Sequence, residues 1–494
     1  MLPPPAADPS PPSPEQHVPL SRKTWRTGTL TYTFGGLIAL FLLLLLGDFA
    51  WSMRDRSVGQ LSQWYLGKLS VPSFLFALLI SSFPAALALI LSPIISVRSD
   101  RHRGKWGRRI PYLLLTTPFA VFGMVGLGLT PIIAKAVHAS FSPGRPIGEW
   151  LHRVLGDGSI ATWLHAQTQN EMVISVICFG VFWASFELAT IASQAVFGGL
   201  INDVVPHELL GRFYGLFRAV SLVDGMIFNE WIYGHVSTHY TLIFLVIATF
   251  YGLFFMSVCL VVKEGEYPPP APPEDTPQTS LAIRFKDEVG RYFRECFSNK
   301  YYVTIFFLLL TMNLTFIPVN TFNMPFSLGL HVPEALYGHY LFLTYTTSLF
   351  LAPILGWLVD IFHPLRMVMA ALVAYMVVTI WGGLFATTPD TFLIAFYAHG
   401  VVSGCFFTSA ASLGNRLFPK SRFAQFSSAA GVLGSVAGIV FAPVMGKIID
   451  LSGHMYRLTY FAGLGFSIIA LILGLLVYRR FLQYGGPKNY IAPE

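Results

Sequence analysis

The sequence predicts an all-α integral membrane protein: twelve transmembrane helices in two pseudo-symmetric six-helix halves. Three observations lead there. First, 54% of the residues are hydrophobic and only 12% are charged, whereas about a quarter of the residues in soluble domains carry charge. Second, apolar runs of about twenty residues, each long enough to cross a hydrocarbon core about 30 Å thick, recur along the chain. Third, the chain partly repeats itself. LSPIISVRSD (Leu91 to Asp100) matches LAPILGWLVD (Leu351 to Asp360) at Leu, Pro, Ile and Asp. Asn202, Pro206, Arg212 and Phe213 are echoed, with a gap, by Asn415, Pro419, Arg422 and Phe423. Two related halves are a mark of secondary transporters.

The chain opens with a Pro-rich stretch, and residues 1–28 are expected to be a disordered tail. It has no apolar h-region of a signal peptide. Arg22, Lys23 and Arg26 precede the first span, which places the N-terminus in the cytoplasm. Spans are expected at roughly 30–64, 72–97, 108–135, 172–199, 211–234, 239–262, 301–329, 336–361, 365–387, 390–416, 423–450 and 455–480. The N-terminal half covers 29–263 and the C-terminal half 301–482. Residues 264–300 link them through the spacer PPPAPPEDTP and an amphipathic segment with Arg284, Lys286, Arg291 and Arg294. A short cytoplasmic tail, 483–494, comes last. Most of the 32 Lys and Arg then fall on the cytoplasmic side, as the positive-inside bias requires. That bias accounts for the net charge of +7 without nucleic acid. Four scattered cysteines form neither a disulfide framework nor a CxxC metal pair. Between helices 3 and 4, the outer loop 138–171 contains EWLHRVLG, Trp150 and Trp163; it reads as a lid or as a surface loop with interfacial anchors.

Ionisable residues at membrane depth cost about 2.5–3.5 kcal/mol each on insertion scales, so they signal function or internal pairing. In helix 1, Asp48, Ser52 and Asp55 share a face. Asp48 reads as a solute-binding or proton-carrying group. A helix ending near Trp51 would leave Arg54, Asp55 and Arg56 in an outer loop; for those three the loop or a structural role is preferred. Glu187 and Gln194 share a face of helix 4. Burial penalises the charged form of a carboxyl, so Glu187 can take up and release a proton; the alternative is a Glu bonded inside the bundle. Arg218 and Asp224 lie in helix 5. Arg218 needs a carboxylate partner at depth, with Glu187 the first choice and Asp48 the second. Asn313, Asn320 and Asn323 share a face of helix 7 beside Pro318 and Pro325. Their amides suit either a polyhydroxylated solute or interhelical bonds, and the prolines a broken helix. His235 and His239 have no third ligand nearby. His399, Trp183 and Trp381 read first as internal or packing residues. No P-loop, nucleophile elbow or HExxH is present, so neither an enzyme nor an ATP-driven pump is expected.

The loop after helix 2 contains Asp100, Arg101, Gly107, Arg108, Arg109 and Pro111. This pattern resembles the helix 2–3 loop of the major facilitator superfamily, over roughly residues 29 to 480. Together with GKWGRRIPYLL, GDFA at Gly47 to Ala50 and an Arg early in helix 5, it looks most like the glycoside-pentoside-hexuronide:cation symporters and the sucrose-transporter group. The resemblance implies a monomeric carrier in a bacterial inner membrane that takes a sugar and an ion through a cavity reached alternately from each side. Asp100, Arg101, Gly107, Arg108 and Arg109, with Asp360 in the second half, would form a cytoplasmic gate. The symporters' two acids in helix 2 are missing from Pro84 to Ile94, and their usual Gly is Ser96 here, although Gly356 is present. This moves the expected coupling ion from sodium, the alternative, to the proton, with no cofactor. Rival readings are a carrier of the same fold for a nucleoside, organic cation or lysolipid, and a membrane sensor or scaffold that moves nothing.

Overall fold

The structure, a computed structural model, describes residues 24–142, 145–156, 158–267 and 294–493. The chain up to residue 23 and residues 268–293, with most of the expected amphipathic linker segment, lie outside the described residues. The described part of the tail is ordered. Strands Trp25–Thr27 and Leu30–Tyr32 pair antiparallel around Gly28, whose φ is +56°. The first helix therefore starts at Phe34, capped by the Thr33 hydroxyl on the Gly36 N–H.

The crossing helices are α1 (Phe34–Lys68), α2 (Ser73–Arg101), α3 (Ile110–Ser140), α4 (Glu171–Val204), α5 (Leu210–Ile227), α6 (Val236–Val261), α7 (Lys300–Gly329), α8 (Glu334–Phe362), α9 (Pro364–Phe385), α10 (Pro389–Ala410), α11 (Phe423–Leu451) and α12 (Leu458–Gln483). Helical hydrogen bonding runs with little interruption from α5 to α6 across the stretch His207–Val261. Its 55 residues would reach about 80 Å if straight, more than twice a bilayer core. A 3₁₀ turn at Tyr233–His235 and a non-helical His239 divide it into two crossings. Among the described residues there are two π turns, Leu78–Ser82 within α2 and Phe228–Ile232 directly after α5.

Two corrections concern helices 1 and 7. Helix 1 lies within a few residues of the expected span 30–64 and excludes the alternative that ends near Trp51. It runs to Lys68 because Val58, Leu61, Trp64, Tyr65 and Leu66 continue its buried stripe, and Arg54, Asp55 and Arg56 therefore sit inside the helix. Helix 7 is not broken: α7 passes through Pro318 and Pro325, both buried, and packs along α11 and α12. Gly434 and Gly438 bring α11 close to Asn313 and Ile317 of α7. Helices Pro146–Leu155 and Ser159–Thr168 occupy the loop between α3 and α4, with Trp150 and Trp163 exposed.

Each half packs around its own helices, and the halves meet through α2 with α11, α5 with α8, and α1 with α7. The face carrying Asp100 and Arg109 is called the basic face here. Among the described residues, the hydrogen bonds and ion pairs between halves lie from mid-depth to the opposite face. There Asp450 at the end of α11 accepts the backbone N–H groups of Ser73 (2.7 Å) and Phe74 (3.0 Å) at the start of α2. Glu334 accepts from Trp64 Nε1 (3.3 Å) and pairs with Lys68 (3.6 Å). Glu230 bonds His339 at 2.8 Å. One hydrophobic core crosses the halves on that side, with Phe76 and Phe322 rings 6.2 Å apart, while a second core belongs to the basic end of the C-terminal half alone. The molecule is closed on the opposite face and its inter-half cleft opens to the basic face.

Candidate functional site: a charged central cleft

Two charge clusters occupy the middle of the N-terminal half. The first is built on Arg54, which is fully buried. Its guanidinium lies over Trp51 (4.0 Å to the ring centroid) and near the Tyr251 and Phe186 rings (5.0 and 5.8 Å). It donates to Thr190 Oγ1 at 3.4 Å, while Nε and Nη2 have no partner among the described residues. Aromatic faces replace part of the water an Arg loses on burial. The carboxylate facing it is Glu187, one helical turn before Thr190. A cavity of about 400 Å³ adjoins this pair. Asp55, Gln63, Trp183, Glu187 and Gln194 line it, with Pro84 and Ala88 of α2 as its apolar wall. Trp183 is fixed by its indole N–H donating to Leu79 O at 2.9 Å.

The second cluster lies between α1 and α5. Asp48 and Asp224 are buried and electrostatically close, and Asp48 Oδ2 and both Asp224 oxygens have no partner among the described residues. Arg56 is the nearby cation. It donates to Ser221 Oγ (2.9 Å) and reaches across the halves to Tyr345 OH (3.4 Å). Ser52 is buried on the same helix. Arg218 is exposed to the cleft beside Arg56 and Tyr345. The expected Arg218–Glu187 and Arg218–Asp48 pairs do not form. Arg54 takes the position facing Glu187, and Arg218 projects into the open cleft.

In the C-terminal half the three asparagines are divided. Asn320 is exposed and accepts from His399 Nε2 at 2.9 Å, while the Tyr375 hydroxyl bonds His399 Nδ1 at 2.8 Å. His399 is thus held on both ring nitrogens. Asn323 is buried with Oδ1 unpartnered among the described residues, and Asn313 lies against α11. Trp381 packs on Phe385 away from the cleft cavity. His235 and His239 meet edge to face, 6.2 Å apart, with no third ligand among the described residues.

The basic-face loop forms one bonded unit. Arg109 pairs with Asp100, donates to Ser99 Oγ (2.5 Å) and reaches Asp203 at the end of α4 (3.3 Å). Arg108 grips Asp203 through two bonds, at 2.9 and 2.5 Å, and this partner pushes its guanidinium above its ordinary value. Glu264, just past α6, accepts the backbone N–H groups of Arg108, Arg109 and Ile110 at 2.9, 2.8 and 2.7 Å. It thereby caps α3 with a carboxylate. Tyr267 donates to Glu264 and lies under Arg108; burial and then the carboxylate push its phenol up. Gly107 has φ +93°, and a Cβ there would meet Glu264. Arg101 is exposed. In the second half Asp360 meets Arg416 at 3.4 Å. Each pairing stays within its own half.

Gln63, Asp203, Glu264, Tyr345 and Asp450 carry no mark in the sequence, and Arg54 is marked only as part of a charged run. An Arg in an aromatic shell and a carboxylate on distant N–H groups leave no local pattern; the usable signal for Arg54 is its place inside the expected span 30–64.

The model for the Major Facilitator Superfamily matches residues 319–489. No curated protein matches the chain. Among solved structures, a bacterial homologue of the human lysosomal transporter Spinster, inward-facing and occupied, aligns at TM-score 0.58 and 15% identity, covering 93% of this chain and 98% of that one. The inward-open xylose transporter XylE from E. coli aligns at TM-score 0.55 and 14% identity, covering 88% and 95%. The nucleoside transporter NupG aligns at TM-score 0.59 and 10% identity, covering 89% and 100%. At these identities the likeness is one of fold.

Proposed function

We propose that this chain, which has the fold of the major facilitator superfamily, is a secondary transporter that imports a sugar or glycoside together with protons. The observation that carries this reading is the pair of buried, incompletely bonded charge clusters bordering a cleft between two halves. Leaving Asp48, Arg54 and Asp224 without full partners is costly in a static scaffold. It is explained if these groups change partners as the cleft opens to one side and then the other.

Asp55, Gln63 and Gln194 offer carboxylate and amide groups to hydroxyls, and Trp183 offers an aromatic wall to a sugar ring. Arg218 extends this polar lining toward the basic face. Glu187 carries the coupling proton. When it is protonated, Arg54 keeps Thr190 and its aromatic shell; when it is ionised, the two charges neutralise each other. Asp48 and Asp224, close together and incompletely bonded, are the second candidates for the coupling proton. We read the basic face as cytoplasmic from the positive-inside bias, so a cleft open to that face would release solute inward. The helix 2 acids tied to sodium use in the resembled symporters are absent, which favours protons.

Uptake of labelled sugars into proteoliposomes, with and without an imposed pH gradient, tests the reading. Accumulation abolished by a protonophore is expected. Gradient-independent equilibration removes the proton. Absence of uptake for every sugar, with uptake of a nucleoside, moves the substrate to the class carried by NupG.

A further inference from the structure

Behind the cleft in the C-terminal half, three side chains on three helices form a relay: Tyr375 on α9, His399 on α10 and Asn320 on α7. Tyr375 and His399 are 0% and 2% exposed. Phe316 closes them in, its ring centroid 4.5 Å from that of Tyr375 and 6.4 Å from that of His399. Chemistry fixes the protons of the relay. Asn320 Oδ1 carries no hydrogen, so His399 Nε2, 2.9 Å away, is the donor. The ring is bonded to an amide and a phenol, neither of which balances a buried cation, so it is neutral. Its Nδ1 is then an acceptor, and the Tyr375 hydroxyl donates to it at 2.8 Å.

Asn320 is the end of the relay that meets the cleft. Between Leu308 and Leu328 the exposed residues of α7 are Asn313 and Asn320, seven apart and so on one face. Polar side chains at this depth face protein or water rather than lipid, which puts that face on the inter-half cleft. With Oδ1 held toward α10, the planar amide turns its NH2 away from His399, and that nitrogen has no hydrogen-bond partner among the described residues. We infer that Tyr375 and His399 are positioning residues that lock the Asn320 amide with its NH2 toward the cleft, where it receives an acceptor oxygen of the solute: a hydroxyl, ring or carbonyl oxygen. An ammonium placed there would meet a second donor, so the subsite selects a sugar or nucleoside against an organic cation. The inference rests on the cleft being the solute path proposed above.

Two measurements on the purified full chain need no solute. With ¹⁵N-labelled histidine, the NMR signal that His399→Gln removes should be that of a neutral ring protonated at Nε2 alone, and Tyr375→Phe should turn it into a mixture of the two tautomers. Asn320→Cys should add a thiol that a water-soluble maleimide modifies from the basic face, read on its peptide by mass spectrometry. A ring protonated at Nδ1, or an unreactive thiol, overturns the subsite. Uptake of labelled D-xylose, D-glucose and uridine into proteoliposomes then reads selectivity. For whichever is carried, Tyr375→Phe should raise KM about fivefold, more than it lowers the maximal rate, and Asn320→Asp, which turns an acceptor toward the solute, about tenfold or more. His399→Gln, whose amide can accept from Tyr375 and donate to Asn320, should retain more of the parent affinity than His399→Ala. A Tyr375→Phe KM equal to that of the parent chain overturns the positioning role. If none of the three is taken up, the solute reading fails and the tautomer and thiol results alone decide the relay.

Discussion

Asp450 of the C-terminal half caps the first turn of α2 in the N-terminal half, accepting the Ser73 N–H at 2.7 Å. The negative end of the contact is a side chain and the positive end a helix terminus, so no sequence covariation of charge is needed to keep it. Asp450→Ala removes the carboxylate that accepts two backbone N–H groups at the closed face. A cap of this kind is worth about 0.5–2 kcal/mol, enough to shift a two-state balance by as much as tenfold or more. Spin labels on Ser70 and Ser452 should report one short distance in the parent chain and a second, longer one in the variant. A single unchanged distance would leave closure to the apolar contacts.

Glu187→Gln keeps the shape of the group facing Arg54 but fixes it neutral. Net accumulation driven by a pH gradient should fall to equilibration, while solute exchange across a vesicle persists in part. Uptake of labelled solute in the two modes separates these outcomes. Accumulation by the variant would transfer the coupling proton to Asp48 or Asp224.

Arg218→Lys retains charge but loses the planar fork of donors. Since Arg218 faces the open cleft and holds no ion pair there, folding should be unaffected and solute affinity should drop about tenfold or more. Isothermal titration with the transported solute measures this; an unchanged affinity makes Arg218 part of the mouth.

Glu264→Ala leaves three N–H groups at the start of α3 without their carboxylate, and the expected cost is about 2 kcal/mol in stability. Glu264→Gln should restore part of it. Gly107→Ala should behave similarly, because its φ of +93° disfavours a side chain and a Cβ would crowd Glu264. Thermal unfolding of the three variants is the measurement.

His363, between α8 and α9, has its imidazole pushed down to about 4 by burial and then by Arg416 and Arg366. Its Nδ1 accepts the Leu365 N–H, so the neutral ring caps α9. The folded state thus binds a proton less readily than the unfolded chain, where His titrates near 6.5. The stability contributed by neutral His363 is present above pH 6.5, declines as pH falls from 6.5 to 4, and levels off below. The Tm of His363→Asn should show a shallower fall across that window than the parent chain.

Much of this architecture could be read before any coordinates. Apolar runs located the crossings to within a few residues, and the repeated Leu-Pro-Ile-Asp segment marked two halves. Asp48 and Glu187 are marked as candidates by membrane depth, a signal that needs no knowledge of partners, Gln194 by sharing a face with Glu187, and Arg218 by depth together with the family resemblance. Pairing could not be read. The Arg54-Asp55-Arg56 run looks like a helix end because charge commonly marks the interface, yet here an aromatic shell and Thr190 hold Arg54 in the interior. Asp203, Glu264 and Asp450 act on groups far away in sequence or on bare backbone, and neither leaves a spacing to recognise. Gly107 was visible within its motif, but its reason, the approach of Glu264, was not.

The π turns at Leu78–Ser82 and Phe228–Ile232 set the register of the helices that contain or follow them. A π turn holds one more residue than the α turn it replaces, so each advances the register of the residues after it by one position without breaking the helix. Both lie where one half meets the other: the first against α11, the second against α8. Asn229 returns a bond to Gly225 O within the second, while its own carbonyl approaches Gly338 of α8. Any matching of the two halves, or of this chain to distant kin, that counts helical positions without a gap slips by one residue at each of these points. In α2 the slip falls on everything from Phe83 to Asp100, and in the second case on Glu230 and the residues after it, whereas Arg218 and Asp224 lie before it and keep their register.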